Sequence, residues 1–243
     1  DRLGIYYVER GADRRASKVI YDRAGSAFAL SRAKEYDWDK IFAGADWVHF
    51  TGITPALGKN AEEVTLSACK AAKERGVTVS CDVNYRSKLW EKEHAAKTLE
   101  KLLCYADVCI VNEKQADELF GISGENAMRE LAERFSFTHV AFTYRRTKDA
   151  LHNKIWSVLY SSGEKVQSRE YDMEMVDRIG GGDAFAAGLR RATTLRHTTD
   201  TKFTIATAVR LRMPRLRKWR SLSGKKAISG RKIFPSTNMC GKG

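Results

Sequence analysis

Three consecutive glycines followed by an aspartate form the segment of this sequence best suited to chemistry. Gly180, Gly181 and Gly182 let the backbone approach a ligand closely, and Asp183 stands where a helix is predicted to begin. The first N–H groups of a helix lack acceptors within it, and together with the helix dipole they suit a phosphate group. Asp183 could take the proton of an alcohol, so the segment predicts phosphoryl transfer to a hydroxyl. The alternative is an ordinary loop with Asp183 as a helix cap.

Apolar strands that alternate with amphipathic helices must position this segment. The predicted strands are Leu3–Glu9, Ser17–Asp22, Trp47–Phe50, Val77–Asp82, Val108–Val111 and His139–Thr143. The predicted helices are Asp37–Ala43, Asn60–Arg75, Glu91–Tyr105, Glu113–Phe120 and Asn126–Phe135. The alternation indicates an α/β sheet of parallel strands with helices on both faces. The first two strands suit an antiparallel hairpin, as do Lys154–Tyr160 and Lys165–Tyr171.

Polar residues gather just after the predicted parallel strands. Asp82 and Asn84 follow one strand, and Asn112 and Glu113 follow the next. Open α/β sheets bind ligands at the carboxyl ends of their strands, so a site is expected at this edge. For Asp82 and Asn84 a simple turn is the better interpretation, and His49, within an apolar strand, is interpreted as a hydrogen-bonded core histidine.

The net positive charge of this chain of 243 residues comes from its C-terminal end. Residues 1–188 carry 28 basic and 29 acidic side chains, whereas residues 189–243 carry 15 basic side chains and one acidic side chain. We therefore divide the chain into a domain over residues 1–189 and a basic tail over residues 190–243. Nucleic acid is not expected as a partner of the domain, and no apolar run approaches the roughly 20 residues of a membrane span.

The cysteines predict a reducing compartment and hence a cytoplasmic protein. They are Cys69, Cys81, Cys104, Cys109 and Cys240, an odd number without the spacing of a disulfide framework or a zinc site. No residue is assigned as a metal ligand on spacing alone.

The glycine segment also resembles a known signature. DRIGGGDAFAAGL is similar to the second signature of the ribokinase-like (PfkB) sugar kinases: Asp177, Gly180, Gly182, Asp183, Phe185 and Gly188 match it, and Gly181 replaces the usual Ala. Further blocks, among them VIYDRAGSAFA, DWVHFTGITPAL and CDVNYRSKLW, resemble the 2-keto-3-deoxygluconate kinases of that family. The resemblance covers about residues 1–189.

The resemblance implies a fold, a reaction and two cofactors. The fold is a three-layer α/β sandwich with a mostly parallel sheet and a partial β lid over about residues 3–22. The reaction is phosphorylation of the terminal 6-hydroxyl of 2-keto-3-deoxygluconate or a related sugar acid, with ATP and Mg²⁺. A family lid that makes dimer contacts further implies that the parent protein is a homo-oligomer.

The same resemblance implies roles for individual residues. Asp183 is the general base, and Gly180, Gly181 and Gly182 form the anion hole. Tyr6 or Tyr7, together with Tyr21 and Arg23, contacts the sugar acid, and Arg86 pairs with its carboxylate or reaches the phosphate. Asn112 and Glu113 organise Mg²⁺ and phosphates, and Thr143 and Arg145 lie near the nucleotide.

Three departures from the family pattern leave alternatives open. The family has a further N-terminal region, so the chain is expected to be truncated, and an active and an inactive form of the chain as it stands are both left open. Gln115 occupies a position that usually carries an acid. The loss of similarity after Leu189 is explained either by a shifted reading frame or by a basic tail that binds a polyanion. The alternative functions are a kinase for another sugar, such as fructose or ribose, and a degenerate fragment without enzymatic activity.

Overall fold

The computed structural model describes residues 2–9, 11, 15, 18–149, 151–174 and 179–194. Its strands are β1 (Ile5–Glu9), β2 (Lys18–Asp22), β3 (Trp47–Thr51), β4 (Thr78–Asp82), β5 (Val108–Val111), β6 (His139–Thr147), β7 (His152–Ser161), β8 (Glu164–Gln167) and β9 (Tyr171–Glu174). Its helices are α1 (Ala27–Leu30), α2 (Trp38–Phe42), α3 (Lys59–Glu74), α4 (Lys92–Leu103), α5 (Glu113–Phe120), α6 (Ala127–Phe135) and α7 (Gly181–Thr194). None of these helices is long and apolar enough to cross a membrane. Asp177 of the signature and the tail from residue 195 onward lie outside the described residues.

The strands form a small hairpin and one large sheet. β1 pairs with β2 in antiparallel register, as predicted. Within the described residues the large sheet has seven strands in the order β3-β4-β5-β6-β7-β8, with β9 beside β7. Pairing from β3 to β6 is parallel, and the pairings of β7 with β6, β8 and β9 are antiparallel. The sheet is therefore mixed, and the predicted parallel part is its β3–β6 half.

Both faces of the sheet are packed against helices. Side chains alternate along a strand, so Cys109 and Val111 enter the larger core with α3, α4, α5 and α6. Val108 and Ile110 face the opposite way, into a smaller core with α7 and β9. Burial of β5 on both faces explains its continuous apolar sequence, and the arrangement confirms the expected α/β sandwich.

Helix α7 anchors the glycine segment to the sheet. Phe185 and Leu189, one helical turn apart, are 2% and 1% exposed and pack against the β5–β7 side of the sheet. Burial of each such side chain contributes about 1.5–3 kcal/mol. The helix runs to Thr194, five residues past the proposed domain boundary at Leu189.

The predicted strand Lys165–Tyr171 is two strands in the structure. β8 and β9 pair with different ends of β7. Between them, Ser168 inserts its side chain into the ladder, because its Oγ accepts the N–H of Ser157 at 3.1 Å and donates to the carbonyl of Arg169 at 3.0 Å. A side-chain hydroxyl that replaces a backbone partner ends regular pairing, and serine is suited to that competition.

The end of β3 approaches β4 so closely that only glycine fits at residue 52. The N–H of Gly52 donates to the carbonyl of Asp82 at 2.8 Å. A Cβ added to Gly52 would lie 2.1 Å from the carbonyl oxygen of Val83, a backbone atom that cannot move aside. Gly52 therefore lets the carboxyl ends of β3 and β4 lie side by side.

We expect Gly52→Ala to lower the free energy of unfolding by about 3 kcal/mol, which is the upper end of the usual cost of overpacking a well-packed site. The corresponding fall in melting temperature is about 6–12 °C, measurable by circular dichroism. Gly182→Ala is the matched control, because its added Cβ would come no closer than 3.7 Å to a neighbour, Asp82 Oδ2. A Gly52→Ala protein that melts within 2 °C of the parent would contradict the close approach.

Candidate active site

A cleft of about 1370 Å³ lies where the parallel strands end, between the sheet and the β1–β2 hairpin. Its volume exceeds the roughly 300–1,000 Å³ of a pocket for one small ligand. The predicted site residues that line it are Tyr6, Tyr21, Arg23, Arg86, Asn112, Glu113, Thr143, Arg145, Gly180, Gly182 and Asp183. A smaller cavity of about 480 Å³ near Asn153 contains none of the predicted site residues.

The glycine segment forms the turn that starts α7. Gly180 has a φ of +75°, a conformation that favours glycine, and its carbonyl accepts the N–H of Ala184 at 2.9 Å. That bond is the first of the helix, so the N–H groups of Gly181, Gly182 and Asp183 have no intrahelical acceptor. Asp183 is exposed in the same turn and lines the cleft. The structure thus brings together a helix start whose first N–H groups lack intrahelical acceptors and a carboxylate, although Gly181 itself is not part of the cleft wall.

Asp82 both forms a turn and faces the glycine segment. Its Oδ1 accepts the N–H of Asn84 at 3.1 Å, and the amide of Asn84 donates to Thr51 Oγ1 at 3.0 Å. This is the turn that the sequence predicted. The other carboxylate oxygen of Asp82, Oδ2, lies beside Gly182, 3.7 Å from the position of a Cβ added to that glycine. Asp82 is thus a second cleft carboxylate, and the turn interpretation alone was incomplete.

His49 is a neighbour of the cleft that sequence reasoning did not assign to the site. Its Nδ1 lies 2.8 Å from Ser80 Oγ, which also accepts the indole N–H of Trp47 at 2.7 Å. Desolvation lowers the pKa of His49, and the nearby Asp183 carboxylate opposes that shift. The histidine is hydrogen-bonded, as predicted, but it is exposed and not part of the core, because its face of β3 borders the cleft. It is also close enough to Asp183 to respond to the charge of that carboxylate. The signal in the sequence that could have placed His49 near the site is its position two residues before the carboxyl end of β3.

The β1–β2 hairpin contributes one arginine between two tyrosines. Tyr6 and Tyr21 are register partners, and the guanidinium carbon of Arg23 lies 5.2 Å and 5.3 Å from their ring centres. Such cation–π contacts hold the guanidinium in place. Tyr7 points away from this group, is 58% exposed and does not line the cleft, so Tyr6 is the tyrosine that faces it.

Arg86 enters the cleft from the loop after β4. Its Nη1 donates to the carbonyl of Tyr85 at 3.1 Å, and the side-chain amide of Gln115 donates to the same carbonyl at 3.4 Å. A carboxylate at residue 115 could not donate this bond. The glutamine that departs from the family pattern therefore ties α5 to the loop that carries Arg86.

The remaining predicted residues line the side of the cleft near β5 and β6. Asn112 caps α5, because its Oδ1 accepts the N–H of Gln115 at 2.9 Å. Glu113 follows in the first turn, where the helix dipole favours negative charge. Thr143 and Arg145 lie two residues apart on β6 and so share one face of the sheet.

Comparisons with known proteins show a family and several relatives that the chain resembles. The profile of the pfkB family of carbohydrate kinases matches residues 1–209. The chain is 34% identical over 186 residues to the 2-dehydro-3-deoxygalactonokinase of Haloferax volcanii, covering 76% of this chain and 56% of that protein. It is 27% identical over 175 residues to the 2-dehydro-3-deoxygluconokinase of Bacillus subtilis, covering 71% of this chain and 51% of that protein.

A solved structure is similar over most of the described residues. The crystal structure of the 2-dehydro-3-deoxygluconokinase of Thermotoga maritima superposes with a TM-score of 0.84 at 37% identity, covering 89% of this chain and 68% of that one. The chain spans about half the length of the curated relatives it matches.

Proposed function

Since this chain belongs to the PfkB family of carbohydrate kinases, we propose that it carries the catalytic part of an ATP-dependent kinase for a 2-keto-3-deoxy sugar acid. The relatives named above are 2-dehydro-3-deoxy sugar-acid kinases, and 2-dehydro is another name for 2-keto. The chemistry of the cleft supports the same substrate class, because it offers a helix start suited to an anion, a carboxylate base, and the arginines Arg23 and Arg86.

One observation carries the proposal: Asp183 and the arginines Arg23 and Arg86 line the same cleft. A sugar acid has a carboxylate at one end and a terminal hydroxyl at the other. Arginine is the side chain best suited to bidentate recognition of a carboxylate. Binding of that end by Arg23 and Arg86 would leave the 6-hydroxyl directed toward Asp183.

In the proposed reaction Asp183 takes the proton of the sugar's 6-hydroxyl while the oxygen of that hydroxyl attacks the γ-phosphorus of ATP. A new O–P bond forms while the bond from the γ-phosphorus to the bridging oxygen breaks. ADP leaves with that electron pair. The N–H groups of Gly181 and Gly182 would stabilise the charge on the transferring phosphoryl group.

The other side of the cleft suits the nucleotide and its metal ion. Glu113 brings a carboxylate to this side of the cleft wall, and Asp82 brings another beside Gly182. Oxygen is the donor that Mg²⁺ prefers. The described residues hold no cluster of three or more His, Cys, Asp or Glu ligands. Mg²⁺ that arrives with a nucleotide needs only one or two carboxylates, because phosphates and water complete its shell. We assign Glu113 to it, with Asn112, Thr143 and Arg145 near the nucleotide; the ion would supply neutralisation of the phosphate charge.

The test is an ATP-consumption assay of the full chain with Mg²⁺. We expect turnover with 2-keto-3-deoxygluconate or its galactonate epimer, and little with fructose or ribose, which lack a carboxylate for Arg23 and Arg86. Product analysis by phosphorus NMR should locate the phosphate on the 6-oxygen. Equal turnover of a neutral sugar would favour the alternative of a fructose or ribose kinase. Absence of turnover with every sugar would favour a fragment without activity.

A further inference from the structure

Tyr144 makes a direct contact with the carboxylate assigned to the nucleotide side of the cleft. Its hydroxyl donates to Glu113 Oε1 at 2.7 Å, joining β6 to the first turn of α5. Both residues line the cleft.

The ring of Tyr144 is held by its neighbours, so its hydroxyl has a defined position. Trp156, its register partner on β7, stacks on it with ring centres 5.2 Å apart and planes 2° from parallel. Phe142 contacts it from the same face of β6 at 6.4 Å. Aromatic pairs of this kind stabilise the arrangement beyond the effect of burial alone. The hydrogen bond to Glu113 therefore starts from a rigid donor.

We propose that Tyr144 is a positioning residue for Glu113: it holds one carboxylate oxygen and leaves the other directed into the cleft for the magnesium–nucleotide complex. This inference rests on the proposed function. Glu113 is the acidic residue of the first turn of α5, and Gln115 is bound to the carbonyl of Tyr85. No second acid of that turn shares the task, so the orientation of Glu113 matters.

The test is Tyr144→Phe in the full chain, which removes the hydroxyl and keeps the ring on Trp156. We expect the Kd for Mg²⁺ with a non-hydrolysable ATP analogue, measured by titration calorimetry, to rise about tenfold, the size typical of a lost outer-shell partner. The KM for the sugar acid should stay within twofold of the parent. Tyr160→Phe is the matched control, since Tyr160 lies on β7 outside the cleft and should leave both values unchanged.

A double-mutant cycle separates positioning from direct contact with the nucleotide. In a Glu113→Ala background, Tyr144→Phe should change the nucleotide Kd by less than about twofold, because the positioned group is gone. An equal loss in both backgrounds, or no loss from Tyr144→Phe alone, would overturn the inference. A parent chain that neither binds the nucleotide nor turns over would instead contradict the proposed function. Should Tyr144→Phe fail to fold, Glu113→Asp, which withdraws the carboxylate by one methylene, should weaken nucleotide binding, and unchanged binding would overturn the inference.

Discussion

Replacing Asp183 with asparagine should lower the rate of phosphoryl transfer by about 10³-fold, within the range of a general base. Asparagine has nearly the same shape but cannot accept the proton of the 6-hydroxyl. The side chain is exposed in the first turn of α7, so its replacement should leave the fold intact. The measurement is kcat with 2-keto-3-deoxygluconate at saturating ATP, beside the melting temperature.

Asp117→Asn provides the matched control for this change. Asp117 is an exposed aspartate on α5 that does not line the cleft. The kcat of the Asp117→Asn protein should therefore equal that of the parent. Nucleotide affinity should also persist in Asp183→Asn, because the N–H groups of the glycine turn remain. A kcat for Asp183→Asn within tenfold of the parent would remove Asp183 as the base.

Replacing Arg86 with alanine should raise the KM for the sugar acid about 10- to 100-fold, since a charge-assisted hydrogen bond contributes about 1.5–3 kcal/mol. The KM for a neutral sugar such as fructose should change little, because it has no carboxylate to lose a partner. Arg86 gives a cleaner test than Arg23, whose removal would also expose the rings of Tyr6 and Tyr21. Steady-state kinetics with both sugars measures the difference.

The control for Arg86 is Arg129→Ala on α6. Arg129 is exposed, lies near Glu133 and does not line the cleft, so its removal should leave both KM values unchanged. If Arg86→Ala raised the two KM values equally, the arginine would act on the phosphate or on the loop, and the carboxylate role would be lost.

Most of the helices and strands, and the edge of the sheet where the cleft lies, were predictable from the amino-acid sequence. Strand β5 agrees with its predicted bounds, as does α5, and the other parallel strands and long helices differ by one to four residues at an end. The spacing of apolar residues along a segment indicates which of its faces are buried. Strands buried on both faces, and helices buried on one, can therefore be recognised from the segment alone. The glycine run at the start of α7 predicted an anion site without knowledge of the fold, because the N-terminus of any helix suits an anion.

The contacts between side chains of separate elements could be read from the folded chain and not from the sequence. The tertiary structure selected Tyr6 over Tyr7, directed Asp82 toward Gly182, and brought Tyr144 to Glu113 across 31 residues. It also split the predicted strand Lys165–Tyr171, since Ser168 competes for a partner on β7 that lies 11 residues away. These outcomes depend on register and on the directions of side chains from separate elements, and periodicity along one segment contains no information about either.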